Sequence, residues 1–385
     1  MNNTLGIKNN LVASYPNRGI TFVKGESVYL MTQNGEKYLD LGSNYGVNIF
    51  GYRHPTITNA LHKQLDNLVN LHGSFGSDVR NRAAEKLINK CGGKLSRIFF
   101  SNSGAEAIEA ALKFARAATG KTHFIAMKNA YHGKTLGALS ATSGDKYRNP
   151  FLPLLWNFSH APFGNIKDIE SQISENTAAV LMEPVQGEGG IYVAPREFYE
   201  KLQALCNKHN LLLIIDEIQT GVGRTGTFLA AEQFGLQPDI LCLGKGIAGG
   251  IPIGITLVSE TISSKIPLHI HTSTFGGNPL ACAGILAVLN EFENGKILSR
   301  VKKLGEYFLK QLKTIKNQQI VEVRGLGLMI GMELRKNATI VLKALQQEKI
   351  IAIPAGSNIV RFLPPLIVTR KELAKAVIIL KKIFS

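Results

Sequence analysis

At 385 residues, with 45% hydrophobic and 19% charged residues, the chain can bury a sizeable core and is too apolar for a disordered segment, which points to a globular enzyme or binding protein of two domains. A formal charge of +16 suits a Lys-rich solvated surface or attraction of acidic small molecules or an acidic protein; without a recognition motif or basic-aromatic alternation it excludes nucleic acid. Residues 1–17 lack the apolar core of a signal peptide and no run reaches membrane-spanning length, so a cytoplasmic location without membrane contact is expected.

Cys91, Cys206, Cys242 and Cys282 lie far apart, without the spacing of a metal site, and read as reduced packing residues; no metal is expected. Residues 19–41 predict a small β meander, with strands at 20–23, 28–31 and 37–41 and a turn at Asn34-Gly35. Residues 42–55 are glycine-rich and irregular, after which Ile57, Leu61, Leu65 and Leu68 repeat at helical spacing. The apolar run 98–100 leads into Ser101-Asn102-Ser103-Gly104-Ala105-Glu106. Ser103 and Glu106 fit a capping box, and the free amides of Gly104 and Ala105 would make an anion site at the helix start. Alone, a cap is the simpler explanation.

A strand at 124–127 precedes Tyr131, whose ring could stack on a flat ligand or pack in the core. A strand at 178–182 ends in Glu183-Pro184-Val185-Gln186-Gly187-Glu188, where two carboxylates suit either a site or a decorated surface loop. Residues 211–215 are five apolar side chains in a row, the pattern of a strand buried on both faces of a parallel sheet. Asp216 follows at its carboxyl end, where open α/β sheets bind ligands. A buried carboxylate needs a positive partner. The cations nearest in sequence, Lys208 and Arg224, stand only at the segment's edges, which leaves a distant group or a cofactor nitrogen.

One more buried strand, 239–243, ends in Gly244-Lys245-Gly246. Burial lowers a lysine's pKa and makes it a usable nucleophile, so Lys245 reads as functional. Thr274 precedes another helix start and suits an anion site or a cap. From about Ile285 the pattern changes to charged helices alternating with strands at 320–324, 328–333 and 359–363, a second α+β domain. Gly221-Val222-Gly223-Arg224-Thr225-Gly226 matches a dinucleotide fingerprint only in letters, because polar residues separate it from the strand and no acid follows at the required distance. Neither Gly133-Lys134-Thr135 nor Gly244-Lys245-Gly246 completes a phosphate loop.

Taken together, an anion cradle at Gly104 and Ala105, an aromatic at Tyr131, a carboxylate at Asp216 and an amine at Lys245 each lie beyond a strand. A pyridine aldehyde phosphate needs these four: a cup for the phosphate, a stacking face, an acid for the ring nitrogen and an amine for the aldehyde. The cofactor indicated is pyridoxal 5'-phosphate.

The segments SNSGAEAIEAALKFA, YHGKTLGALSAT, EPVQGEGG, IIDEIQTGVGRTG, LGKGIAGGIPIG, STFGGNPLACAG and VRFLPPL resemble those of class III pyridoxal-phosphate aminotransferases, in the N-acetylornithine and ornithine aminotransferase subgroup. The resemblance implies a type I PLP-dependent transferase fold: a large α/β domain, residues 56–285, with a mostly parallel seven-stranded sheet, and a small α+β domain from residues 1–55 and 286–385. It also implies a homodimer with shared active sites.

By the same resemblance Lys245 carries the cofactor and moves protons, Asp216 pairs with the ring nitrogen, and Gln219 meets the ring hydroxyl. Ser103, Gly104 and Ala105 hold the phosphate, Tyr131 stacks with His132 beside it, and Thr274 reaches the phosphate of the neighbouring subunit. Arg361 grips a substrate carboxylate, Glu188 gates it, Lys134 and Asn44 face the substrate, and Glu183 is structural. The implied reaction moves the terminal amine of N2-acetylornithine to 2-oxoglutarate, giving a semialdehyde and glutamate in arginine or lysine biosynthesis. Lys134 stands where the subgroup usually has arginine, and the Asn44-Tyr45 and 72–75 loops also depart from its wording. Three alternatives stand beside it: ornithine or lysine attached to an acidic amino-group carrier protein, an aminomutase such as glutamate-1-semialdehyde aminomutase, and a protein that only stores the cofactor.

Overall fold

The computed structural model describes residues 10–155, 157–293 and 295–385; residues 1–9 of the expected amino-terminal segment lie outside them. The chain begins with an antiparallel meander of β1 (Phe22–Glu26), β2 (Tyr29–Thr32) and β3 (Lys37–Asp40). Its first strand starts at Phe22 rather than at the expected Ile20. The helix expected through Leu68 spans Pro55–Leu65, leaving Leu68 beyond its end and 44% exposed.

Four strands of the central sheet follow: β4 (Leu95–Ser101), β5 (His123–Met127), β6 (Asn157–Ala161) and β7 (Thr177–Met182). A two-stranded ribbon, β8 (Val185–Gln186) and β9 (Tyr192–Val193), comes next. The sheet is completed by β10 (Leu212–Asp216), β11 (Ile240–Gly244) and β12 (Gly254–Ser259). The spatial order is β4-β12-β11-β10-β7-β5-β6. Only β12 runs against its neighbours; the other pairings are parallel.

Alternation explains why these strands read as unbroken apolar runs. In β7, Val180 and Met182 join one hydrophobic cluster while Ala179 and Leu181 join the cluster on the opposite face, and β10 divides likewise between Leu213 with Ile215 and Ile214. Successive side chains of a strand point to opposite faces, so a sheet covered by helices on both sides needs apolar residues at every position. The helix Gly104–Thr119 covers one face with Ala107, Ile108, Ala111 and Leu112, all fully buried.

A further four-stranded sheet, ordered β13-β14-β17-β16, uses β13 (Ile320–Leu326), β14 (Met329–Leu334), β16 (Ile353–Ala355) and β17 (Ile359–Phe362). The short β15 (Ile350–Ile351) instead pairs in parallel with β3, Ile350 opposite Leu39, and so ties the amino-terminal meander to the carboxyl-terminal third of the chain. The helix Pro279–Phe292 runs unbroken across residue 285.

Candidate active site

Five sheet strands deliver functional groups at their carboxyl ends. Past β4 come Ser103 and the helix Gly104–Thr119; past β5, Tyr131, His132 and Lys134; past β7, Glu183 and Glu188; Asp216 ends β10, and Lys245 follows β11. Gly104, Ala105, Tyr131, His132, Lys134, Glu183, Glu188, Asp216, Gln219 and Lys245 line one cavity of about 480 Å³, completed by Gly133, Thr135 and Ile218.

Asp216 is 4% exposed and accepts the amide of Ile218 at 3.0 Å through Oδ1. Its Oδ2 lies 2.8 Å from Nδ1 of His132, itself 1% exposed. A carboxylate can only accept, so Nδ1 carries the proton, and a residue far away in sequence faces Asp216. The other ring nitrogen of His132, Nε2, is buried without a hydrogen-bond partner among the described residues.

Lys245 has a φ of 47°, in the left-handed region that non-glycine residues rarely adopt, a strain on the order of 1–3 kcal/mol that the flanking structure holds. Burial pulls its amine below the ordinary lysine pKa; the charge of Glu188 opposes this, Arg361 adds to it, and Asp216 and Glu183 oppose it. The shift is in the direction that an amine nucleophile needs.

Ser103 caps the helix Gly104–Thr119 by accepting the amide of Glu106 at 3.2 Å. The reciprocal half of the expected capping box does not form: Glu106 Oε2 accepts the backbone amide and side-chain amide of Asn102, at 2.9 and 3.0 Å, instead of the amide of Ser103. The first-turn amides of Gly104 and Ala105 are thus left at the cavity wall, the place where a helix N-terminus binds an anion. Space there is tight, since a Cβ on Gly104 would fall 2.8 Å from Ile218 Cγ2 and one on Gly133 would fall 2.8 Å from Ala105 Cβ.

Arg361, on β17, is fully buried and donates to Gln219 Oε1 at 3.0 Å and to the Pro354 carbonyl at 2.9 Å. Its Nη2 meets Glu188 Oε1 at 2.7 Å, and the Tyr45 ring lies 5.6 Å from its guanidinium carbon. Tyr45 belongs to a left-handed turn in which Ser43, Asn44, Tyr45 and Gly46 all have positive φ, and Ser43 Oγ anchors that turn to the Leu363 carbonyl at 2.6 Å.

Four sequence candidates do not line the cavity: Ser103 and Arg361 stand behind lining residues, while Asn44 and Thr274 are exposed away from it. Lys134 sits on the rim, its amine 5.7 Å from the centre of the Tyr147 ring. Burial, followed by the charge of Glu188, pushes the Tyr131 phenol up to about 12. Glu183, read from sequence as structural, lines the cavity; burial pushes its carboxyl above the ordinary range, His132 and two amide bonds opposing the rise and the nearby Asp216 charge adding to it.

These groups fit pyridoxal phosphate: free helix amides for the phosphate, an aromatic wall, a carboxylate backed by histidine for the ring nitrogen, and a desolvated amine. Residues 12–384 match the aminotransferase class-III family. The chain belongs to that family. It is a pyridoxal-phosphate-dependent aminotransferase. It is 40% identical to the acetylornithine aminotransferase of Bacillus cereus over 97% of each chain. It is also 40% identical to a LysW-aminoadipate semialdehyde/glutamate semialdehyde transaminase of Sulfolobus acidocaldarius, over 97% of this chain and 96% of that one. Among solved structures it resembles the ornithine aminotransferase of Toxoplasma gondii, with a TM-score of 0.93 at 31% identity over 97% of this chain and 92% of that one. Among the described residues of this aminotransferase, no helix is long and apolar enough to cross a membrane.

Proposed function

We propose that this enzyme moves the terminal amine of an N-blocked ornithine, N2-acetylornithine, to 2-oxoglutarate, giving a semialdehyde and glutamate, in cytoplasmic arginine or lysine biosynthesis. The pairing of Arg361 with Glu188 at 2.7 Å beside Lys245 carries this reading. A buried guanidinium masked by a partly exposed carboxylate offers two states. Masked, it leaves room for a donor amine; unmasked, it grips the carboxylate of a dicarboxylic acceptor through two parallel bonds. An aminomutase, which shifts an amine within one molecule, needs no such exchange.

When bound, pyridoxal phosphate supplies an aldehyde that condenses with amines and a ring that draws electrons from the reacting carbon while its nitrogen is protonated. Ser103 and the amides of Gly104 and Ala105 would hold the phosphate, and Tyr131 would cover one ring face. Asp216, oriented by Nδ1 of His132, would keep a proton at the ring nitrogen. Gln219, its Oε1 engaged by Arg361, would offer Nε2 to the ring hydroxyl. Lys245, whose amine burial pulls below the ordinary lysine pKa, would take a proton from the substrate carbon at Nζ and return it to the cofactor side.

The same reaction on ornithine or lysine attached to an acidic carrier protein is the second reading. The rim position of Lys134, where the subgroup usually has a forked arginine, and the charge of +16 support it, as does the LysW-linked name of the Sulfolobus relative. A homodimer completes the proposal, with Thr274 of each copy reaching the other's phosphate. Its support is that Thr274 is exposed next to Phe275, 58% exposed, with Leu268 at 89% and Phe75 at 63%, apolar surface that a lone chain leaves in water. We divide the chain at residues 55 and 285, the β3–β15 pairing supporting union of the two ends in one small domain.

A panel of amine donors with 2-oxoglutarate, scored by glutamate formed, tests the reaction. Turnover of free N2-acetylornithine at a rate insensitive to salt supports the small-molecule donor. Turnover that appears only with carrier-linked donors and weakens as salt rises supports the carrier. Absence of glutamate with every donor rejects 2-oxoglutarate as the acceptor.

A further inference from the structure

We propose that Glu183 is a positioning residue that joins two walls of the cavity, setting both the Tyr131 ring face and the reach of Glu188 toward Arg361. Its two oxygens serve different segments. Oε2 accepts the backbone amide of Tyr131 at 3.1 Å, and Oε1 accepts the backbone amide of Gly187 at 3.1 Å. The first amide belongs to the residue whose ring forms the aromatic wall; the second immediately precedes Glu188. The carboxyl itself is 5% exposed, so neither bond competes with bulk water.

The contacts form one connected path. Gly187 is pressed against Gln219: a Cβ there would lie 2.3 Å from Gln219 Oε1 and would displace that side chain. That same oxygen accepts from Arg361 Nη1 at 3.0 Å, while Glu188 meets Arg361 Nη2 at 2.7 Å. A shift of the 187–188 backbone therefore moves two of the three groups that hold the guanidinium, Gln219 and Glu188, and leaves the Pro354 carbonyl in place. A shift of the Tyr131 backbone tilts the aromatic wall on the far side. One carboxyl restrains both. Two acceptor oxygens are required, because glutamine would turn an amide nitrogen toward one of the two backbone donors and leave that N–H unpaired.

The inference about Glu188 rests on the proposed acceptor switch; the inference about Tyr131 does not. Glu183→Gln and Glu183→Ala, each alone and combined with Glu188→Gln, would be purified as holoenzyme and compared with the wild type. Hydrogen exchange should show the peptides containing Tyr131 and Gly187 opening faster together in Glu183→Ala, and the visible circular dichroism of the bound cofactor should change in both single variants. Half-reaction kinetics should show Glu183→Gln changing the ratio of KM for 2-oxoglutarate to KM for the donor about fivefold with Glu188 present, and leaving it unchanged in the Glu188→Gln background. An unchanged dichroism band with independent exchange of the two peptides overturns the positioning role, whatever the fall in Tm. A KM ratio that shifts equally with and without Glu188 overturns its link to Glu188. Failure of the wild type to use 2-oxoglutarate rejects the acceptor reading alone, because exchange and dichroism still test the aromatic wall.

Discussion

Asp216 and Glu217 are adjacent carboxylates with opposite fates. Asp216 faces the cavity and His132; Glu217, fully buried on the other side of the strand end, accepts the amide of Ala231 and the hydroxyl of Thr220, both at 2.7 Å. Burial pushes the Glu217 carboxyl from 4.5 up to about 7, more than its hydrogen bonds lower it. The folded chain therefore keeps a proton that the unfolded chain releases. This contribution is whole below the unfolded pKa, falls as pH rises through the folded value and is level above it, a loss on the order of 3 kcal/mol. Glu217→Gln, which cannot ionise, should flatten the fall of Tm between pH 5 and 8 measured by calorimetry; an unchanged slope contradicts the assignment. At this scale the sequence made the placement of Lys245 and Asp216 readable, because each stands at the end of a strand whose burial is written in consecutive apolar residues. It did not disclose that His132 faces Asp216, since the two are 84 residues apart and only the order of β5 and β10 in the sheet brings them together. Glu183 was hidden for the same reason: a carboxylate after a strand looks alike whether it faces water or two backbone amides.

The helix Gly104–Thr119 shows what an element adds to its residues. Its cap at Ser103 fixes where the helix starts, and the start fixes which amides face the cavity. Ser103→Ala should cost about 1 kcal/mol of stability. It should also weaken retention of pyridoxal phosphate, read by dialysis and cofactor absorbance; lost stability with unchanged retention would mean that the cap serves the helix alone. Strands covered on both faces, such as β7 and β11, were readable from sequence because every residue in them is buried. The edge strand β6, Asn157–Ala161, was not, because only Ala161 is fully buried and its polar side chains look like a loop. Nor was β12, which begins at Gly254 inside a longer apolar stretch that hides its boundaries. The helix Pro55–Leu65 kept its apolar period but ended early, with Leu65 51% exposed.

Across the whole molecule, the ends of the chain meet where no local pattern foretells it. Residue 39 pairs with residue 350, and Leu41, Ser43 and Ile49 bond residues 363 and 366 just beyond Arg361. Arg224, fully buried, bonds the carbonyls of Leu328 and Pro364 and fastens the segment after Asp216 to the strand that carries Arg361. The strand that carries Arg361 is thus held by both the amino-terminal segment and the middle of the chain. Assembly by two copies has its own expected outcome: sedimentation should give twice the 41.9 kDa chain mass, and Thr274→Ala should retain less pyridoxal phosphate without losing the dimer. A monomer with full cofactor retention contradicts the shared site.

The most direct test concerns the amine at the end of β11. Borohydride reduction of the cofactor-loaded enzyme, followed by digestion and mass spectrometry, should place a single phosphopyridoxyl mass on the peptide containing Lys245 and none on the Lys245→Ala protein. Label on another lysine, or an unmodified Lys245 in loaded protein, would contradict it.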